Sequence, residues 1–237
     1  MKRSHINTIL ADAEDLINGA GSFLPPFAFW PPEELVANVR SKGCEGIVTA
    51  GLGWTVTDFG LDNFIENGLV VFTLRMGDHH QLAAGRGRLY AEKLLVQREG
   101  QRTPFHYHNV KTEDVINRSE ATLNVHLHHA ASNGELDESR RLNVMVDGQR
   151  REFLPGASVT LRQGESLTIE PKVYHDFVAA GGDVVASEIS LANDDANDNF
   201  FYEPVGVANS IEEDEPPRRL LVQDYPSHFP ALLREAA

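Results

Sequence analysis

Cysteine is almost absent from this chain: Cys44 is the only one in 237 residues. No intrachain disulfide can form, and a lone thiol of this kind reads as a small buried side chain rather than a nucleophile. Positive charge is scarce as well, with 21 Lys and Arg against 35 Asp and Glu and a formal charge of −14. Nucleic-acid binding draws its affinity from clustered Lys and Arg, so this balance argues against it. Long apolar runs are missing. Stretches such as residues 68–72 fall far short of the about 20 residues that a bilayer crossing needs. The opening MKRSHINTILADAED becomes acidic by position 12 and holds no uninterrupted apolar stretch. The expectation is therefore a cytoplasmic protein without a membrane partner. What remains, 41% hydrophobic and 24% charged, is ordinary globular composition. A chain of this length can bury a sizeable core without staples.

The apolar pattern changes along the chain. Ile6, Ile9, Leu10, Ala13, Leu16 and Ile17 recur at helical spacing and predict a helix over 4–18, with Ser4 as N-cap and Gly19 as stop. Prolines forbid a continuous helix over 22–30, which reads as an extended apolar arm. A second helix is expected from Pro31 to near Gly43, proline early and glycine late. From about residue 69 short strands take over, at 69–76, 90–98, 122–128, 142–146, 159–161, 166–170 and 184–190, a pattern of sandwich or barrel. Asp147-Gly148 marks a hairpin, because both positions of such a turn favour positive φ. The expected organisation is one mainly β domain over 1–237. It has a helical and extended region at 1–66, a barrel core at 67–191 and an irregular extension at 192–237.

One stretch carries metal-binding chemistry. In TPFHYHNVKTED (103–114), a strand's period of two would point His106 and His108 to one face. Glu113 follows after enough chain to turn back towards that face, and His175 closes a second glycine-to-histidine segment beginning at Gly164. Three imidazoles and one carboxylate satisfy a first-row divalent ion and leave positions open for a ligand. Asp78-His79-His80 and His126-Leu127-His128-His129 lack a further ligand at recognisable spacing, and His126 and His128 read as a polar sheet face. Trp30, Trp54 and Phe59 read as core or interface aromatics.

Those two segments resemble the paired motifs of the cupin superfamily, double-sheet jelly-roll barrels. Gly100, His106, His108 and Glu113 fit the first motif. Glu120 stands where a glycine is usual, Pro171 falls one residue late, the second motif lacks its second glycine, and Ala179 replaces its asparagine. A closer resemblance is to the D-lyxose isomerases, cupin-type sugar ketol-isomerases. It is carried by MKRSxIN at 1–7, LPPFAFWPPEE at 24–34, HYHNVKTEDVINR at 106–118, EISLANDDANDNFF at 188–201 and IEEDEP at 211–216. The resemblance implies a divalent metal on His106, His108, Glu113 and His175, manganese first, with zinc, cobalt, iron or nickel as alternatives. It also implies interconversion of D-lyxose with D-xylulose, and of D-mannose with D-fructose. A homodimer follows from the same likeness, and the apolar arm could cover either a partner or its own barrel.

Moving a carbonyl between C1 and C2 needs a base that carries a proton from one carbon to the other. Glu188 is the first candidate, because a glutamate facing a barrel interior is costly without a task or partner. Lys111, between two ligands, is placed to steady a developing oxyanion or relay a proton. Lys93, Asp194, Asp195 and Asp198 are candidates for holding sugar hydroxyls, since polyol specificity comes from satisfied hydrogen bonds. Two other readings stay open on sequence grounds: a cupin dioxygenase with iron on the same ligands, and a non-catalytic sugar-sensing module.

Overall fold

The computed structural model describes residues 1–41, 43–194, 197–206 and 210–235. The strands in chain order begin with β1 (Gly53–Thr57), β2 (Leu69–Arg75), β3 (Tyr90–Gln97), β4 (His106–Tyr107) and β5 (Glu113–Asn117). Next come β6 (Thr122–His129), β7 (Leu142–Val146), β8 (Gln149–Phe153), β9 (Ala157–Leu161) and β10 (Ser166–Ile169). The last are β11 (Val173–Ala180), β12 (Val184–Leu191) and β13 (Phe200–Phe201). They pair antiparallel into an eight-stranded sheet, β1-β2-β3-β12-β5-β10-β7-β8, and a five-stranded sheet, β13-β4-β11-β6-β9. Side chains from the two inner faces, among them Val115, Leu123, Val125, Leu127, Leu142, Leu161 and Leu167, form the core between the sheets. This is the expected mainly β, cupin-type double sheet.

The alternation of side chains across a strand explains both faces. On β6, Leu123, Val125 and Leu127 are buried while Asn124 and His126 are half-buried. His128 departs from the expected polar face: it is buried, with Nε2 3.5 Å from the Glu138 carboxylate. The hairpin at Asp147 and Gly148 has φ of 50° and 72°, as the Asp-Gly pair predicts.

Part of the large sheet is buried on its outer face too. The helix α1 (Arg3–Gly19) lays Ile6, Leu10, Ala13 and Ile17 over Trp54, Val70, Phe72, Leu94 and Val96. Three features of this region differ from the sequence expectation. Strand β1 lies within the stretch read as helical or extended; its edge position and mixed sequence GWTVT hide the strand signal. The arm is partly coiled, with a 3-10 turn at Pro26–Phe29, and it packs on its own sheet: Trp54 Nε1 donates to Ala28 O at 2.9 Å. Ser4 does not cap α1. The helix starts one residue earlier, and the Ser4 N–H and hydroxyl donate to the Asp214 carboxylate at 2.9 and 2.7 Å. A distant acid thus satisfies an amide that a local cap would otherwise take.

The acidic run 212–215 within the irregular extension is consequently a clasp. Arg3, only 1% exposed, forks between Glu213 and Asp224, and Asn7 reaches Glu215. No helix among the described residues is long and apolar enough to cross a membrane.

Candidate active site

The pairing of β4 with β11 sets His106 directly opposite His175. His108 leaves the end of β4, and Glu113 opens β5, where it faces Ser190 of β12. The ligand nitrogens of His106, His108 and His175 lie within 4.8 Å of one another. Glu113 Oε1 sits 2.8 Å from His175 Nε2 and 3.8 Å from His108 Nε2. All four side chains that the spacing singled out are brought to one place.

Their hydrogen bonds fix which nitrogen faces that place. His106 Nδ1 donates to Pro104 O at 2.8 Å, His108 Nδ1 to Asp198 O at 2.6 Å, and His175 Nδ1 to Val173 O at 3.0 Å. A carbonyl only accepts, so each Nδ1 carries the proton and each Nε2 presents a lone pair inward. Meanwhile His108 Nε2, His175 Nε2 and Glu113 Oε1 are buried without a hydrogen-bond partner. Buried polar atoms are rarely left so. Three inward lone pairs beside one carboxylate oxygen form a donor set that fits a divalent cation.

Electrostatics point the same way. Burial, then the neighbouring His175 and His108, push the His106 imidazole well below its usual 6.5. Burial and the Lys111 ammonium bring His108 down to about 4. Burial alone would raise Glu113, but the Lys111 ammonium 2.6 Å away overcomes it and holds the carboxyl well below the usual range. His106 and His108 are thus neutral and Glu113 ionised near neutral pH, the protonation a metal needs.

The same shifts predict how the metal-stripped protein responds to acid. Below 6.5 the unfolded chain binds protons that the folded His106 and His108 refuse. Their contribution to stability is present above 6.5 and lost as pH falls, for His108 as it approaches about 4. The melting temperature should decline across that window and decline less steeply in His108→Gln. A wild-type melting temperature that rises on acidification there would contradict the assignment.

Next to the ligand set runs a row of paired charges. Lys111 Nζ is 2.6 Å from Glu113 Oε2 and 3.3 Å from Glu188 Oε1. Glu188 Oε1 also lies 3.4 Å from Lys93 Nζ and accepts from Ser190 Oγ at 3.1 Å. Cross-strand register explains the row, because Glu188 of β12 pairs with Lys93 of β3, and Lys93 pairs with Thr73 of β2. Thr73, Lys93, Lys111, Glu113 and Glu188 line a cavity of about 240 Å³ between the sheets. That is below the roughly 300–1,000 Å³ of sites for drug-sized ligands and suits a small polar molecule.

A family model described as D-lyxose isomerase matches residues 1–225. The chain belongs to the D-lyxose isomerase family. D-lyxose/D-mannose isomerases of Escherichia coli O157:H7 and Serratia proteamaculans are each 39% identical to it over 227 residues, covering 95% of this chain and 98% of theirs. The fold is shared with the L-ribose isomerases of Acinetobacter sp. DL28, solved in complex with L-ribose, and Geodermatophilus obscurus. TM-scores are 0.55 and 0.56 at 15% and 17% identity, each over 90% of this chain and 98% of the other. As a member of the D-lyxose isomerase family the chain is a sugar aldose–ketose isomerase. The dioxygenase and sensor readings give way to that assignment.

Within this family member, two of the acids read as hydroxyl-binding groups do not reach the cavity wall. Asp194 accepts from Asn197 and lies 3.5 Å from His79 Nε2. Asp198 is buried with its carboxylate turned to the main chain of residues 109–111. Asp195 lies outside the described residues. Phe59 packs against the core, as read, and also lines the cavity at φ 57°, edge-on to Phe201 at 6.2 Å. Thr55, Thr57, Thr73 and Thr103 also face the cavity and were missed. Alternation in GWTVT was the available signal for the first two. Asp78, His79 and His80 do gather ligand atoms within 4.8 Å, but His79 is half-buried and the other two are exposed. None of the three contributes a buried atom without a hydrogen-bond partner.

Proposed function

We propose that this chain interconverts D-lyxose with D-xylulose, and D-mannose with D-fructose, by proton transfer through an enediol. Glu188 is the base in this reading. It is the carboxylate on the cavity wall outside the ligand set, 5% exposed and held between two ammonium groups. That placement is the observation that carries the proposal. Glu188 removes the proton at C2 of the aldose and returns it at C1. Lys111, shared between Glu188 and Glu113, supplies positive charge where the substrate oxygen becomes anionic, the kind of preorganised stabilisation that lowers such barriers. Lys93, 3.4 Å from Glu188 on the cavity wall, can meet a sugar hydroxyl. The threonines of β1 and β2 offer hydroxyl partners, and Phe59 excludes water from one side.

His106, His108, Glu113 and His175 would hold the divalent ion, which when bound supplies Lewis-acid polarisation of the substrate oxygens. Manganese is the ion proposed; zinc, cobalt, iron and nickel are compatible with the same donors. A cytoplasmic homodimer completes the proposal, supported by Phe23 and Phe29, which are 82% and 45% exposed on the arm.

The test is direct. Protein stripped of metal and refilled with manganese should convert D-lyxose to D-xylulose under anaerobic conditions. A requirement for oxygen, or for iron alone, would overturn the reading.

A further inference from the structure

We propose that Asp198 is a positioning residue that fixes both Lys111 and the ligand His108, and that it binds neither sugar nor metal. The inference rests on the isomerase reading for Lys111 and on the donor set for His108.

Three successive main-chain N–H groups, those of Asn109, Val110 and Lys111, converge on the Asp198 carboxylate. Oδ1 accepts from Asn109 at 2.7 Å, both oxygens accept from Val110 at 3.2 Å, and Oδ2 accepts from Lys111 at 3.0 Å. A run of amides curled around an anion is a nest. Here the protein fills its own nest with a side chain about ninety residues away in sequence. Bonds to an ionised acceptor are the stronger kind, and the carboxylate is buried. With its oxygens already committed, Asp198 has little left to offer a hydroxyl or a cation.

The same residue acts on the ligand set through its main chain. Its carbonyl accepts from His108 Nδ1 at 2.6 Å, which sets the tautomer and aims Nε2 inward. Asp198 is itself held, because its N–H donates to Asp194 O at 2.8 Å. Just beyond it, β13 pairs with β4, placing Phe201 opposite His106, and the Tyr202 N–H donates to Phe105 O at 2.8 Å. One short segment therefore grips both sides of the His-Tyr-His stretch. The loop it clamps delivers Lys111 Nζ to within 2.6 Å of Glu113. Without the carboxylate, three amides lose their acceptor and the loop between two ligands loses its shape.

Asp198→Ala and Asp198→Asn test this, read out by manganese affinity in competition with a chromophoric chelator, by kcat and KM for D-lyxose at saturating manganese, and by melting temperature. Removing a group that orients metal ligands typically costs about 10–100-fold in metal affinity or activity. The expected result for Asp198→Ala is a loss of that order in both affinity and kcat, with KM changed less than about threefold. Asp198→Asn, which keeps one acceptor oxygen, should recover part of each loss. Manganese affinity and kcat unchanged in both variants would overturn the proposal. So would a KM-dominated loss, the mark of a sugar contact, or a fall in melting temperature with affinity and kcat intact in the folded fraction. Should Asp198→Ala fail to fold, the Asn variant carries the test alone, with a smaller loss in the same two quantities expected. If the wild type turns over no sugar, the isomerase reading fails while the chelator competition still decides whether Asp198 positions the ligands.

Discussion

Glu188→Gln should take up manganese as the wild type does and lose about 10²–10⁴-fold in kcat, the range that positioned acid–base catalysis contributes. Glutamine fills the same volume between Lys93 and Lys111 and keeps an oxygen near both. It cannot accept the proton from C2. Glu188 contributes none of the buried atoms left without a partner around the ligand set, so metal uptake should persist. Because a base acts on the barrier rather than on ground-state binding, KM should move much less than kcat. Near-normal kcat with metal bound would show that another group moves the proton. Lys111, 3.3 Å away, would be the next to test.

The second large effect concerns stability. Arg3→Ala should destabilise the fold by about 3 kcal/mol, the lower end of the cost of breaking a buried ion pair. For a chain of this size that corresponds to a fall of about 6–12 °C in melting temperature. The lower end applies because Glu213, one of the two partners, has a side chain 55% exposed and can recover water. Asp224, 11% exposed, cannot do so as well. The guanidinium makes four hydrogen bonds, two to each carboxylate, of 2.6 to 3.1 Å. Lysine has no planar fork and should restore little. The pH dependence gives an independent check. The hydrogen bond from Arg3 holds Glu213 below its usual 4.5, so this contribution is present above that value and lost as pH falls beneath it. The gap between wild type and Arg3→Ala should narrow in acid. A constant gap would place the effect in packing instead.

Much of the site was legible because its signals are local. Histidines two apart on a strand share a face whatever the rest of the fold does, and Glu113 and Lys111 lie within the same dozen residues. Glu188 was reachable because a carboxylate alternating with Val185 and Ile189 is expensive unless used. Asp198 was not legible, since it belongs to a polar stretch whose acids look alike. What distinguishes it is an amide nest formed by chain about ninety residues away, and a nest has no side-chain signature. The place of Phe59 on the cavity wall was hidden for a related reason. Its left-handed backbone is stabilised by the Gly206 N–H donating to Phe59 O at 2.9 Å, a contact between segments far apart in sequence. The strand β1 and the clasp at Arg3 share this character. A helix face, a hairpin turn or a metal-ligand spacing is encoded within a few residues, whereas a second face buried by α1, or an acid run partnered by Arg3, depends on long-range assembly.

On the proposed mechanism, a carboxylate in this cavity moves the proton between C1 and C2 of an aldose. D-lyxose deuterated at C2, incubated anaerobically in water with the manganese-loaded protein and followed by NMR, tests it most directly. Transfer through Glu188 exposes the deuteron to exchange, so D-xylulose should form with deuterium released to solvent. D-xylulose that keeps all of its deuterium at C1, or no ketose at all, would contradict the account.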